Sequence, residues 1–258
     1  MKFIKIINGK FSMKLYIGLF VALTVLALSH TVMAEPEMVL IKGGCFQMGG
    51  TSGEGYADER PVHEVCVDDF YIGKYEVTQS EWKSIMGTNP SKLKGNVNCP
   101  VENISYDDVR KFINKLRQKT GKKYRFPTEA EWEYAARSGG KDELWAGISD
   151  PFELEDYAWY EDNSEERTHP VGSKKPNGLG LYDMSGNVYE WVWDRYDAKY
   201  YKRSPKNNPK GALGKEYRVL RGGSWDDSPI FIRTAYRFRV RPVYRDIHFG
   251  FRLALSAR

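Results

Sequence analysis

Three of the four histidines, His63, His169 and His248, are candidates for acid–base chemistry near neutral pH. Each stands alone in the sequence, with no Ser or Cys placed beside it as a nucleophile. A catalytic centre of the nucleophilic type needs such a nucleophile–base pair. We therefore interpret these histidines as structural, and the sequence predicts no catalytic residue of this type.

The three cysteines, Cys45, Cys66 and Cys99, are candidates for a metal site or a disulfide. No Cys-x-x-Cys motif or histidine pair accompanies them, so a metal site is not favoured. Cys45 and Cys66 lie in alternating runs typical of strands, and neighbouring antiparallel strands could bring their Cα atoms within bridging distance. The sequence predicts a Cys45–Cys66 disulfide and leaves Cys99 as a free, partly buried thiol.

Acidic residues follow a hydroxyl residue by three positions in the segments 78–81, 105–108 and 128–131. This spacing is that of a capping box, in which the hydroxyl accepts from a backbone N–H and the acid reaches back. We interpret these acids as helix caps rather than as a general acid–base pair. They predict three helices, the first ending at Gly87 and the second near Gly121.

The elements that must position these residues are short. Alternating apolar residues predict strands over 38–48, 63–77, 218–221 and 249–255. The segment 49–61 is rich in Gly and acidic residues, and 138–217 contains Gly, Pro, Asp and Trp throughout, so both predict irregular structure. The sequence therefore predicts one α+β domain with little regular secondary structure. We place in its core Trp132, Trp191, Phe251 and Leu253.

Residues 1–34 have the pattern of a secretory signal, with lysines, a mainly apolar run over 15–28 and small residues near Ala34. The run is shorter than the roughly 20 residues of a membrane span. We expect a signal peptide over 1–34 and a domain over 35–258 that is secreted or periplasmic and not an integral membrane protein. An uncleaved membrane anchor is the alternative.

The four lysines of 1–34 supply most of the net charge of +5, so the remaining domain is nearly neutral. Binding of nucleic acid through bulk charge needs a surplus of Lys and Arg, and no nucleic-acid partner is predicted. The stretch 218–258 is locally basic, with nine Arg, three Asp and neither Lys nor Glu. These arginines either attract an anionic partner or lie in ion pairs, and both alternatives stay open.

Seven segments form an ordered set along the chain: 59–63, 75–78, 126–133, 177–183, 186–191, 221–225 and 250–252. They include Phe-Pro-Thr-Glu-Ala-Glu-Trp-Glu and Arg-Gly-Gly-Ser-Trp. As a set spanning about 38–255, they resemble the formylglycine-generating enzyme, or sulfatase-modifying factor, family. The resemblance implies a C-type-lectin-like fold with low regular secondary structure.

The resemblance also implies a structural calcium site within 183–190. Asp183 and Glu190 would supply side-chain oxygens, and Gly186 and Val188 would supply carbonyl oxygens. Calcium binds six to eight oxygen ligands, often from loops. The alternative is that the two acids accept hydrogen bonds from turn amides.

Active members of that family oxidise a peptide cysteine with copper held by two cysteines. Asp227 and Ile232 occupy the two corresponding positions here. Copper(I) prefers soft thiolate ligands, so we expect no copper site and no formylglycine-generating activity. Two alternatives stay open: a divergent periplasmic enzyme of the family, or a catalytically inactive partner that binds a true enzyme or its substrate.

The segment 226–248 lacks Lys, Glu, Gln, Trp and Met. These five residues are those that adenine randomisation of Asn codons does not produce, and some relatives are randomised by diversity-generating retroelements at this location. We therefore expect an exposed binding surface for a protein or cell-surface ligand, with four arginines as fixed scaffold: Arg233, Arg237, Arg239 and Arg245. The alternative is an ordinary loop that packs inward. The expected ligand-binding residues are Trp225, Asp226, Asp227, Ile230, Phe231, Ile232, Tyr236, Phe238, Val240, Val243, Tyr244, Asp246, Ile247 and His248.

Overall fold

The computed structural model describes residues 35–51, 53 and 55–257. The predicted signal peptide over 1–34 therefore lies outside the described residues. None of the helices in the described ranges combines the length and apolarity that crossing a bilayer requires.

Within those ranges, nine short strands form three sheets. The strands are β1 (Met38–Ile41), β2 (Gly44–Met48), β3 (His63–Val67), β4 (Phe70–Gly73), β5 (Tyr189–Arg195), β6 (Arg218–Arg221), β7 (Phe238–Val240), β8 (Phe249–Gly250) and β9 (Ala254–Ser256). The sheet orders are β1-β4-β9, β2-β3 and β7-β6-β5-β8. The last of these sheets positions the second half and the end of the segment 226–248, because β7 lies within the segment and β8 directly follows it.

The predicted strands 38–48 and 63–77 are each divided in two, which corrects the sequence-based bounds. The break in the first lies at Gly43, where a Cβ would meet the carbonyl oxygen of Val67 at 2.3 Å. The break in the second lies before Phe70, and Asp69 accepts a hydrogen bond from the Gly43 amide at 2.8 Å. The two breaks therefore contact each other. On one side of them β1 pairs with β4, and on the other side β2 pairs with β3 in a second sheet.

The predicted capping boxes are confirmed. The helices are α1 (Gln79–Met86), α2 (Tyr106–Thr120), α3 (Glu129–Ala136) and α4 (Leu154–Tyr157). Thr78, Ser105 and Thr128 accept hydrogen bonds from the third backbone N–H of α1, α2 and α3. α1 ends at Gly87 and α2 at Gly121, both with left-handed backbone.

The prediction of an irregular run over 138–217 is wrong for β5, which is the longest strand of the described residues. β5 pairs antiparallel with β6 and parallel with β8. The predicted strand 249–255 is divided, because β8 ends at Gly250 and the chain then joins the first sheet as β9. The predicted core residues are confirmed as buried: Trp132, Trp191, Phe251 and Leu253.

Candidate ligand-binding surface

The segment 225–248 leaves β6 through a tight turn. Gly222 and Gly223 have φ angles of +93° and +72°, values that favour glycine. A Cβ at Gly223 would meet the Cγ2 atom of Ile232 at 2.5 Å. The turn therefore brings the first part of the segment back over itself and packs Ile232 against the backbone.

Buried ion pairs hold the middle of the segment in place. Both guanidinium Nη atoms of Arg233 donate to the Glu59 carboxylate, at 2.7 and 2.8 Å. Arg237 donates to both oxygens of Glu129, at 2.6 and 2.9 Å. Both arginines are at most 3% exposed. Paired guanidinium–carboxylate hydrogen bonds fix orientation as well as distance, so this part of the segment has a defined backbone path.

The outer arginines show the same arrangement at the surface. Arg245 donates to both carboxylate oxygens of Asp108, at 2.7 and 3.0 Å, and Arg241 pairs with Glu216 at 2.8 Å. Arg239 instead donates to the Tyr196 hydroxyl at 3.0 Å. Of the two alternatives for the locally basic end, the ion-paired one matches most of these arginines.

Aromatic rings of the segment form a cluster on this frame. The Phe231 ring lies 5.2 Å from that of Tyr236, and Tyr56 contacts both, at 6.3 and 5.6 Å between centroids. Phe231 and Tyr236 are half-buried, and Tyr56 is 43% exposed. Tyr56 comes from the loop 49–61, and no pattern in the sequence predicts that it contacts Phe231 and Tyr236.

Asp227 lies beside this cluster and closes a turn. Its Oδ2 atom accepts from the Ser224 amide and hydroxyl, at 2.8 and 2.6 Å, and its Oδ1 atom from the Tyr189 hydroxyl at 3.3 Å. Burial raises the pKa of Asp227, against the effect of the Ser224 hydrogen bonds. Burial also raises the pKa of Tyr236 to about 12, with a further contribution from the charge of Asp227. The Tyr189 ring packs 4.9 Å from Phe238, which joins β7 to the same surface.

Trp225 and His248, from the two ends of the segment, stack on each other with ring centroids 4.8 Å apart. His248 Nδ1 lies 2.5 Å from the Asp246 carboxylate, and its Nε2 lies 3.7 Å from Asp226. Within the described part of the chain, Trp225 Nε1 and His248 Nε2 are buried and have no hydrogen-bond partner. Two neighbouring rings thus leave one polar atom each unsatisfied.

Two expected ligand-binding residues are corrected by the structure. Ile232 is fully buried and packs in a core cluster with Trp145, Leu154 and Tyr160. Trp225 is only 5% exposed, because it lies between the glycine turn and His248. Neither side chain offers a free face to a ligand in this conformation. The composition of the segment could not separate Ile232 from its neighbours, because burial depends on contacts from distant parts of the chain.

The other expected residues lie at or near the surface. Val243 and Tyr244 are 63% and 53% exposed, on a loop that the Arg245–Asp108 pair ties to α2. The Asp246 carbonyl accepts from the Asn103 amide at 2.8 Å, which fixes the end of that loop. Half-buried or exposed positions further include Asp226, Ile230, Val240, Ile247 and His248. The structure thus joins Phe231, Tyr236, Phe238 and Asp227, while Val243 and Tyr244 occupy a separate loop.

The residues of the expected calcium site lie in a buried acidic cluster. Glu190 accepts from Arg252 with both oxygens, at 2.6 to 2.8 Å, and from the Trp132 indole at 2.8 Å. Asp183 is buried, and burial raises its pKa to about 6. Burial and the charges of Asp183 and Glu190 raise the pKa of Glu76 well above its usual value. Three buried carboxyls thus face one guanidinium.

Backbone groups complete this cluster. The Val188 amide donates to Glu76 at 3.1 Å, and the Gly172 amide donates to Asp183 at 2.7 Å. The Gly186 amide donates to the Gly222 carbonyl, so this segment is tied to the start of the glycine turn. Among the described residues, no three His, Cys, Asp or Glu side chains are grouped as a metal site. A cation here would therefore need carbonyl oxygens as well.

The cysteines lie apart from the segment 225–248. Cys45 and Cys66 face each other across β2 and β3 and are joined by a disulfide, with Cα atoms 3.9 Å apart. A groove of about 840 Å³ runs beside them and is lined by residues such as Asp68 and Trp193. Cys99 is a buried free thiol whose Sγ lies 3.7 Å from the Thr168 carbonyl, and burial raises its pKa.

The chain is similar to known proteins over most of its length. Residues 26–257 match the model of the family described as sulfatase-modifying factor enzyme 1-like domain. Chaperone protein LppX of Paenibacillus barcinonensis is 32% identical, with 83% of this chain and 87% of that protein covered. A formylglycine-generating enzyme of Streptomyces coelicolor is 32% identical, with 85% and 89% covered. The solved structure of Treponema denticola variable protein 1 superposes with a TM-score of 0.80 at 33% identity, covering 85% of this chain and 94% of that one.

Proposed function

Because the chain belongs to the sulfatase-modifying factor family and has its fold, we propose that it is an exported, non-catalytic binding protein. Its ligand-binding surface would be built by the segment 225–248 together with Tyr56. The observation that carries this proposal is the combination of half-exposed rings with a buried frame. Phe231 and Tyr236 lie near the surface, while Arg233 and Arg237 between and beside them are anchored to buried carboxylates.

Such an arrangement suits recognition rather than packing. Rigid aromatic side chains supply contact area at low entropic cost, and grouped exposed apolar side chains mark interaction sites. The likeness to a protein named a variable protein supports diversification of this surface. The absence of five residue types from 226–248 supports it independently.

The positions corresponding to the copper cysteines support a non-catalytic role. Asp227 closes a turn with Ser224, and Ile232 packs in the core. Neither side chain is a soft ligand of the kind that copper(I) prefers. The Cys45–Cys66 disulfide supports export, since such bonds persist in oxidising compartments.

Population sequencing of the coding region tests the proposal. We expect substitutions concentrated at exposed positions such as Asp226, Ile230 and Tyr244, with Arg233 and Arg237 unchanged. Substitutions spread evenly along the chain would contradict diversification of this surface. In a parallel assay, the purified protein with copper should convert a peptide cysteine no faster than a no-protein control. Turnover above that control would contradict the non-catalytic assignment.

We also propose a structural calcium ion at Asp183, Gly186, Val188 and Glu190. The surplus of buried carboxyls over guanidinium groups supports a cation, and Glu190 would have to share its oxygens with Arg252. The competing explanation is that the buried carboxyls are protonated. Calcium added after chelation should raise the melting temperature of the wild type but not of Asp183→Asn, since a ligand bound to the folded state stabilises it. An unchanged wild-type melting temperature would favour protonation.

A further inference from the structure

The stacked pair of Trp225 and His248 has unsatisfied hydrogen-bonding atoms at the proposed surface. Trp225 is 95% shielded from solvent, and its Nε1 atom can only donate. The His248 ring lies between two carboxylates, with Nδ1 2.5 Å from Asp246 and Nε2 3.7 Å from Asp226, the second distance being too long for a hydrogen bond. Neither Trp225 Nε1 nor His248 Nε2 has a hydrogen-bond partner among the described residues. Buried polar atoms are rarely left unpaired, so each unpaired atom calls for an explanation.

The charge around this pair is negative. Asp226 and Asp246 lie on either side of the His248 ring, with side chains 61% and 46% exposed. The nearby arginines do not neutralise them, because Arg233 and Arg245 each donate to a carboxylate elsewhere, Glu59 and Asp108. Although the segment 218–258 is basic in composition, the side chains exposed beside the Trp225 and His248 rings are carboxylates.

We propose that this surface binds a protein segment in which an arginine lies next to an apolar side chain. This inference rests on the proposed function and names its ligand chemistry. The guanidinium would donate to the carboxylates of Asp226 and Asp246, and a backbone carbonyl of the segment would accept from Trp225 Nε1. Phe231 and Tyr236 would take the neighbouring apolar side chain.

An arginine fits these features better than a neutral or anionic group. Its planar guanidinium carries several donors and stacks on aromatic faces, whereas an anion would be repelled by Asp226 and Asp246. Trp225 Nε1 is shielded, so the ligand carbonyl reaches it only if side chains around the ring move on binding. Asp226 is exposed and is therefore the contact that can be tested directly.

A phage-displayed library of random dodecapeptides, panned on the immobilised protein, tests this inference. The enriched peptides are synthesised, and their Kd values are measured for the wild type, Asp226→Asn and the matched control Asp68→Asn. Asp68 is an exposed acid on the groove beside the disulfide, outside the proposed surface. Thermal melting of each variant confirms that it is folded.

We expect enriched peptides to carry an arginine beside an aromatic or aliphatic residue. Asp226→Asn should weaken binding about tenfold, since hydrogen bonds to charged groups contribute that much, and Asp68→Asn should not change it. Replacing the peptide arginine by citrulline should cost a similar factor on the wild type and little on Asp226→Asn, because the two changes remove one interaction. Binding should also weaken with added salt.

The other outcomes separate this inference from the proposed function. Peptides without arginine, or with the same Kd for Asp226→Asn, would overturn the arginine inference. If their binding were still lost in Phe231→Ser/Tyr236→Ser, the proposed surface would stand. Binding unaffected by that double variant would place the site elsewhere and overturn both. A library without enrichment would overturn a peptide ligand and leave the proposed function to population sequencing.

Discussion

Adjacent residues Phe231 and Ile232 should respond in opposite ways to the same replacement by asparagine. Ile232 is fully buried against Trp145, Leu154 and Tyr160. Truncating a buried Ile costs about 2–5 kcal/mol, and burying an amide without a partner adds about 1–3 kcal/mol. Ile232→Asn should therefore destabilise the fold by roughly 3–8 kcal/mol. Phe231→Asn removes ring contacts worth about 0.5–1.5 kcal/mol each from a half-exposed cluster.

Thermal unfolding distinguishes the two variants. For a domain of this size, 1 kcal/mol corresponds to about 2–4 °C in Tm, so Ile232→Asn should lower Tm by roughly 6–30 °C. Phe231→Asn, which loses the two ring contacts with Tyr56 and Tyr236, should lower it by about 2–12 °C, with a native circular dichroism spectrum. Ile232→Val serves as the control for a conservative change at the buried position. Equal losses for Phe231→Asn and Ile232→Asn would refute the division of this segment into surface and core.

Three further changes test an anchored arginine, the disulfide and a buried carboxyl. Arg233→Ala should lower the free energy of unfolding in urea by about 3–5 kcal/mol, because it leaves the buried Glu59 carboxylate unpaired. Arg245→Ala, at an exposed ion pair, should lower it by less than about 1 kcal/mol. Equal losses for the two variants would contradict an anchoring role for Arg233. The double variant Cys45→Ser/Cys66→Ser opens the loop closed by the disulfide and should lower the free energy of unfolding by about 3 kcal/mol. An unchanged urea midpoint would show that the disulfide does not contribute this stability. Burial, with the charge of Glu129, raises the pKa of Asp194 well above 3.8, so the folded state retains a proton that the unfolded state loses. Asp194→Asn should therefore gain stability relative to the wild type as the pH rises above 3.8, by up to about 1.4 kcal/mol per pH unit, and a flat difference would contradict the shift.

Local signals in the sequence predicted the helices well. A capping box and a terminal glycine lie within one or two turns of the helix they bound, so α1 and α2 could be located without tertiary information. The strands were less predictable. The break at Gly43 depends on Asp69 and Val67, and β5 depends on β6 and β8, which are far away in the sequence.

For the proposed surface, too, the sequence predicted local features but not contacts between distant parts of the chain. Composition identified the segment 226–248 but not which side chains face inward, so Phe231 and Ile232 looked alike. Tyr56 and Tyr189 were missed because they join the surface from other elements. The anchoring of Arg233 by Glu59 links residues 174 positions apart, a pairing that no local pattern indicates.

The anchored arginines have a consequence for protein engineering. Because Arg233, Arg237 and Arg245 fix the backbone through carboxylates outside the segment, the exposed and half-buried positions around them can be replaced together. A synthetic library that randomises Asp226, Ile230, Phe231, Tyr236, Val243, Tyr244 and Ile247 would vary the contact surface without rewriting its supports. The small disulfide-bonded domain would then serve as a scaffold for selecting new binders, with Ile232 and the arginines kept constant.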